Sequence, residues 1–315
     1  MKYSDYGITR RQCLGRLTAI ATAALVPGLR VYASDPPPLR MAISTATMAG
    51  ANINDARAAY KVWLGQAAQY YGRRTAVVVP DIFIPSKDLV RGVREGSLDA
   101  YGATAIEVKE LLDVTELDFM LIQDYMANGM EYVLLVHNSS TFKKLADLRG
   151  AQLVTHLHRD MLLLPAWLGT ILAEDNLPQP NRFFASQKES DKVNQVVLPV
   201  FFRRVDAACL ARHDWETAVE LNPQLGRDLR PLVVSSRLLP IGCFFRKSTS
   251  PEARQALLRS IQSINSVTAG REIVALYQSQ SFVIRTVATM KPTLDMLRQF
   301  ERIQVPQANL RKGAA

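Results

Sequence analysis

Cysteine is scarce in this chain, and its scarcity removes several organising principles at once. Only three of 315 residues are cysteine, and no Cys-x-x-Cys spacing occurs. A disulfide framework, a structural zinc site and a thiol redox centre therefore have no support. Cys209 and Cys243 lie in apolar strand-like runs, VDAACL and PIGCFF, where a buried free thiol is the expected occupant. Catalytic signatures are missing as well: there is no Gly-x-Ser-x-Gly elbow, no His-Glu-x-x-His and no Gly-x-x-x-x-Gly-Lys. An enzyme is not indicated. No short repeat or low-complexity tract is present, and no apolar run approaches the ~20 residues of a permanent membrane anchor.

What is there begins with an export signal. Lys2, Arg10, Arg11 and Arg16 precede an apolar run from Leu17 to Val26, and Val31-Tyr32-Ala33 supplies the small residue that signal peptidase requires. Residues 1–33 are thus expected to be a cleaved signal peptide, placing the protein in the periplasm. The segment TRRQCLG (Thr9 to Gly15) carries the paired arginines of the twin-arginine route, with Cys13 where that motif usually has Phe; an ordinary secretory signal is the alternative. Loss of this segment removes Lys2, Arg10, Arg11, Arg16 and Arg30 against Asp5, lowering the formal charge from +9 to +5. The remaining basic residues are interspersed with acidic ones, so nucleic acid is not the expected partner. A hydrophobic content of 48% is enough for a compact globular protein and too high for a disordered one.

After the stiff Pro36-Pro37-Pro38 linker, strand and helix patterns alternate. LRMAIS, RTAVVVP and LDAYG read as strands. They are separated by helices over Asp55 to Tyr71, stopped by Gly72, and from a cap at Ser86 to Gly96, with another helix starting near Thr104. This β-α-β-α-β order predicts a parallel sheet with helices on both faces. EYVLLVHN opens a second such unit. It continues through AQLVTH, a helix over Met161 to Glu174, a strand at RFFAS, a helix over Glu189 to Arg203 and a strand at VDAACL. LRPLVVSS and PIGCFFR are expected to return to the first unit, followed by helices at Pro251 to Ala269, Arg271 to Tyr277 and Pro292 to Arg302. The fold class expected is α/β, with two Rossmann-like lobes joined by a two-strand hinge. Residues 34–136 and 236–315 form lobe 1, and 137–235 form lobe 2. Ligands of such sheets bind beyond the carboxyl ends of the strands.

Several segments resemble a known family. TFKKLADLRGAQLV (Thr141 to Val154), LVRGVREGSLDAYG (Leu89 to Gly102), FFRRVDAACL (Phe201 to Leu210) and PIGCFFRKSTSPEARQALLRSI are similar, in order and spacing, to periplasmic solute-binding proteins of phosphate, phosphite and phosphonate ABC transporters. The resemblance implies a type II periplasmic binding protein, monomeric and without cofactor, that closes on a small anionic solute and presents it to a membrane permease. A ligand-sensing subunit for a membrane sensor kinase is an alternative, and a metal-dependent periplasmic enzyme a more distant one. The family's Ser-Thr-Ser anion cradle is replaced at the matching positions by His158, Arg159 and Asp160.

The candidate ligand-binding residues follow strands. On the second lobe they are His156, His158, Arg159 and Asp160 in LVTHLHRDMLLLP, and Arg212 and His213 after VDAACL. Guanidinium forks bind oxyanions through paired N–H donors, which makes Arg159 and Arg212 the most informative of these. The His156-x-His158 spacing also invites a metal reading, with His213 or Asp160 as further ligands, but a solvated loop is the plainer alternative and no metal is expected. On the first lobe the candidates are Ser44, Thr45, Phe83, Tyr101 and Thr104; Thr104 reads equally well as a helix cap.

Overall fold

The computed structural model of the chain describes residues 39–48, 52–70, 81–116 and 120–312. The expected signal segment 1–33, the linker at 36–38 and the strand at 74–80 lie outside the described residues. The elements run β1 (Met41–Ser44), α1 (Ile53–Tyr70), β2 (Phe83–Ile84), α2 (Ser86–Glu95), β3 (Ala100–Thr104), α3 (Ala105–Glu110), β4 (Met120–Gln123), β5 (Tyr132–His137) and β6 (Gln152–His156). They continue with α4 (Leu164–Glu174), α5 (Pro180–Phe183), β7 (Ser186–Ser190), α6 (Val193–Phe201), β8 (Ala207–Ala211), α7 (Arg212–Leu221), α8 (Pro223–Asp228) and β9 (Leu229–Val234). The last are β10 (Ile241–Phe245), α9 (Pro251–Gln262), α10 (Thr268–Leu276), β11 (Phe282–Arg285) and α11 (Lys291–Lys312).

The strands form two separate sheets, ordered β11-β4-β10-β3-β1-β2 and β7-β6-β8-β5-β9. β1 runs parallel to β2 and β3, and β6 parallel to β7 and β8, as the helix-separated strands predict. The remaining pairings are antiparallel: β10 with β3 and β4, β11 with β4, and β5 with β8 and β9. The expectation of wholly parallel sheets is therefore corrected to mixed ones. β5 and β10 enter their sheets directly from the opposite sheet, and no helical crossover is there to enforce parallel pairing. The fold is mixed α/β with two sheets. Two crossing segments join the sheets and pair with each other, Met130 and Leu238 exchanging both backbone hydrogen bonds at 2.8 Å.

Several elements differ from expectation, each for a local reason. The expected boundary at residue 136 puts most of β5 in the first lobe although EYVLLVHN reads as opening the second unit, and LRPLVVSS reads as returning to the first unit although it lies almost wholly within 137–235; β5 and β9 pair in the second sheet. An apolar strand carries no mark of which sheet it joins. RFFAS is not a strand: Pro180 starts the short helix α5, a position where a missing N–H costs nothing, and the strand begins at Ser186. Glu189 accordingly lies in β7, and α6 starts only at Val193. Ser86 is the first residue of α2 and Pro85 holds the cap position without a side-chain bond. Near the carboxyl end, α9 stops at Gln262, α10 begins at Thr268 and α11 extends to Lys312.

Alternation along the strands fills opposite faces. Ala42, Tyr101, Ala103 and Phe244 pack toward α2 and α3, while Met41, Ile43, Ala100 and Phe245 pack toward α1, α9 and α10. In the second sheet Leu134, Leu153 and Cys209 face α4, and Val133, Val154 and Leu210 face α6, α7 and α8. One apolar cluster is continuous across both sheets, through Met126, Met130 and Leu238 of the crossings and Leu294 and Leu297 of α11. It anchors the side of the molecule on which the crossings lie. Both thiols are free, and burial pushes Cys243 up to about 12 and Cys209 higher still, which keeps them protonated and unreactive.

Candidate functional site

Parallel pairing of β6 with β8 brings the carboxyl ends of both strands side by side. His156, the last residue of β6, therefore meets the first turn of α7. Its Nδ1 lies 3.0 Å from Asp214 Oδ2, and His213 Nε2 lies 3.1 Å from Asp214 Oδ1. Burial alone would raise the Asp214 pKa, but the hydrogen bonds from the two imidazoles outweigh it and hold the carboxyl well below its usual range. For His213, burial opposes protonation, and the hydrogen bond and charge of Asp214 outweigh it in the other direction, raising the pKa. The rings of His156 and His158 stack nearly parallel, 5.5 Å between centroids.

Beyond β6 the chain turns through a short 3-10 segment, Arg159–Met161, before α4. The apolar run that follows (Leu163, Leu164, Ala166, Trp167) is buried and fixes this turn against the core. His158 Nδ1 accepts the Asp160 N–H at 3.3 Å and lies 3.3 Å from Asp160 Oδ2. The Asp160 N–H at this turn is thus already occupied. Asp160 is 1% exposed; the Tyr125 hydroxyl donates to its carboxylate (3.1 and 3.2 Å), and the Tyr132 hydroxyl donates to its carbonyl oxygen at 2.6 Å. Burial, reinforced by the Asp160 charge, keeps the Tyr125 phenol protonated.

Arg159, 3% exposed, reaches from the second sheet to the first. Its Nη1 donates to the carbonyl of Leu276 at 3.1 Å, the last residue of α10, and its guanidinium stands 5.6 Å over the Tyr277 ring. A helix carboxyl end and an aromatic face both attract a cation. Nε is 3.6 Å from Asp160 Oδ1, too far for a hydrogen bond. Arg159 Nε and Nη2 complete no hydrogen bond among the described residues, although the Asp160 carboxylate and the Tyr125 hydroxyl stand beside the guanidinium. Arg212 Nε is likewise buried without a completed hydrogen bond, but it stands in a closer ion pair, 2.8 Å from Glu131 Oε2, with Nη1 3.9 Å from Glu216, and its side chain is partly exposed.

The first-lobe candidates largely serve the fold. Phe83 and Tyr101, expected beside a ligand, are core residues at 2% and 0% exposure; Phe83 packs edge-on to Tyr60, and the Tyr101 hydroxyl bonds Thr115. Thr104 caps α3. Its N–H and hydroxyl both bond Glu107 Oε2 (2.7 and 2.8 Å), and the Glu107 N–H bonds Thr104 Oγ1 in return. Ser44 Oγ donates to the other Glu107 oxygen. Thr45, half-buried, opens a 3-10 turn after β1. Sequence reading missed Glu107, Tyr125 and Tyr277. The Thr104-x-x-Glu107 capping-box spacing would have found the first; nothing local marks the other two. Among the described residues no group of three or more His, Cys, Asp or Glu side chains is placed to hold a metal ion.

Residues 74–288 match the protein family described as the periplasmic substrate-binding protein of phosphonate ABC transporters. The chain belongs to this family. Solved structures of phosphonate-type binding proteins share the fold. A binding-protein component of an ABC phosphonate transporter from Pseudomonas aeruginosa aligns over 86% of this chain and 88% of its own, with TM-score 0.51 and 16% identity. PhnD1 from Prochlorococcus marinus, in complex with methylphosphonate, aligns over 84% and 98% with TM-score 0.52 and 14% identity. A Xanthomonas citri protein bound to ATP gives 84% and 98%, TM-score 0.56 and 15% identity. No curated protein matches the chain in sequence. Among the described residues no helix is long and apolar enough to cross a membrane.

Proposed function

We propose that this phosphonate-family binding protein acts in the periplasm, closing two lobes on a small anionic solute and presenting it to an ABC permease. The lobes follow sheet membership: the first sheet with α1 to α3, α9 and α10, and the second with α4 to α8, hinged at 124–131 and 235–240, with α11 packing on both α3 and α4. Arg159 carries the reading. A guanidinium cannot shed its proton, and leaving its N–H groups buried without completed hydrogen bonds is costly. An oxyanion that accepts from Nε and Nη2 together would satisfy both, in the forked geometry that arginine favours. Because Arg159 already touches Leu276 and Tyr277, an anion bound there stabilises the state in which the lobes meet, and that differential affinity is what shifts a hinge equilibrium.

The anion is held differently from a hydroxyl cradle. His158, Arg159 and Asp160 replace the serines and threonine, and the Asp160 N–H is taken by His158. Thermal-shift titration with methylphosphonate, phosphate, methanesulfonate and acetate tests the reading, since a ligand at ~100 times its Kd stabilises by ~2.7 kcal/mol. At least one of these should raise Tm, and Arg159→Gln should remove that rise. Arg212→Gln should change affinity by less than ~3-fold, because Arg212 is neutralised by Glu131 in a partly exposed ion pair. Anion binding undiminished in Arg159→Gln would overturn the assignment.

A further inference from the structure

We infer that the site selects its solute by charge state, taking a singly charged oxyanion in preference to a doubly charged one, and that Asp160 sets this preference. The inference rests on the solute-binding reading above. Arg159 and Asp160 are adjacent, both almost wholly buried, and their formal charges cancel. The groups facing this pair from other elements add no spare cation. Tyr125 comes from the first crossing and Tyr132 from β5, and both donate hydroxyls to Asp160. Tyr277 offers the face of a ring. His158 lies against Asp160 itself. His156 and His213 are engaged by Asp214, and Arg212 by Glu131.

Two free N–H groups match two oxygens of one anionic group. A singly charged oxyanion takes this neutral pair to one net negative charge; a doubly charged one takes it to two, beside the same Asp160 carboxylate, where exclusion of water strengthens the repulsion. Sulfonates, carboxylates and hydrogenphosphonates carry the single charge that fits. Fully ionised phosphonates and phosphates do not.

Calorimetric titration of the exported protein with methylphosphonate, at pH values below and above its second ionisation, tests this, with methanesulfonate as a probe whose charge is constant. Methylphosphonate affinity relative to methanesulfonate should fall by about tenfold or more across that ionisation, ~1.4 kcal/mol. The comparison with Asp160→Asn separates the Asp160 charge from every other group in the protein. Asp160→Asn should shrink the fall to under ~3-fold, whereas Tyr125→Phe, which removes a hydrogen bond but no charge, should leave it intact. A dianion bound as tightly as the monoanion would overturn the inference while leaving the solute-binding reading in place. Binding of hydrogen methylphosphonate without any of methanesulfonate would overturn it too, since Asp160 would then be reading a proton and not a charge. If neither anion bound in any charge state, the solute-binding assignment itself would fall.

Discussion

Asp214 holds two imidazoles at once, and this ties the stability of the second-lobe wall to pH. The raised pKa of His213 contributes stability that is complete below the unfolded value of 6.5 and is lost as pH climbs through the folded value. The lowered pKa of Asp214 contributes above the unfolded value of 3.8 and is lost as pH falls through the folded value. The pair is therefore most stabilising between those two unfolded values. His213→Gln should flatten the decline in Tm above pH ~6.5, and because the His213 side chain is 46% exposed the effect should stay within ~1 kcal/mol. An unchanged alkaline slope would show that His213 is not the titrating group. Residues of this kind were legible in HLHRD because they directly follow a strand. Their partners were not: Arg159 meets Leu276 across 117 positions of sequence, and Tyr125 follows β4, a strand hidden in an unpunctuated run.

At the scale of elements, the crossings are where local sequence bears most directly on motion. Gly129 stands at φ 79° in the first crossing, and a Cβ there would lie 2.8 Å from the Cβ of Arg237 in the second; Gly150, at φ 77°, has open space around it. Both substitutions to alanine incur the left-handed backbone cost of ~1–2 kcal/mol, and only Gly129→Ala adds a collision between the paired crossings. Chemical denaturation should show Gly129→Ala less stable than Gly150→Ala by ~1–2 kcal/mol; equal losses would mean that the crossings are not in contact. Helices with clear punctuation were legible, as at Thr104, Gly96 and Pro251, before which the Ser250 hydroxyl accepts the Ala253 N–H at 3.2 Å. β11 was not read at all, and α5 was mistaken for a strand because its paired phenylalanines look like a strand until Pro180 is weighed.

For the whole molecule, the alternation of strands and helices disclosed two α/β units, and the family resemblance supplied their arrangement. Sheet membership of β5 and β9 was invisible, because it depends on pairing with β8 and with each other and not on their own composition. The consequence is mechanical. The two crossings lie next to the shared apolar cluster; in the closure proposed above that region is the pivot, and the contact between Arg159 and the carboxyl end of α10 is one a hinge movement would make or break. Small-angle scattering of the wild-type protein and Arg159→Gln, each with and without saturating methanesulfonate, tests this directly. The radius of gyration should decrease on ligand addition in the wild type and stay constant in the variant. No contraction in the wild type despite binding, or an equal contraction in both proteins, would contradict closure on an anion through Arg159.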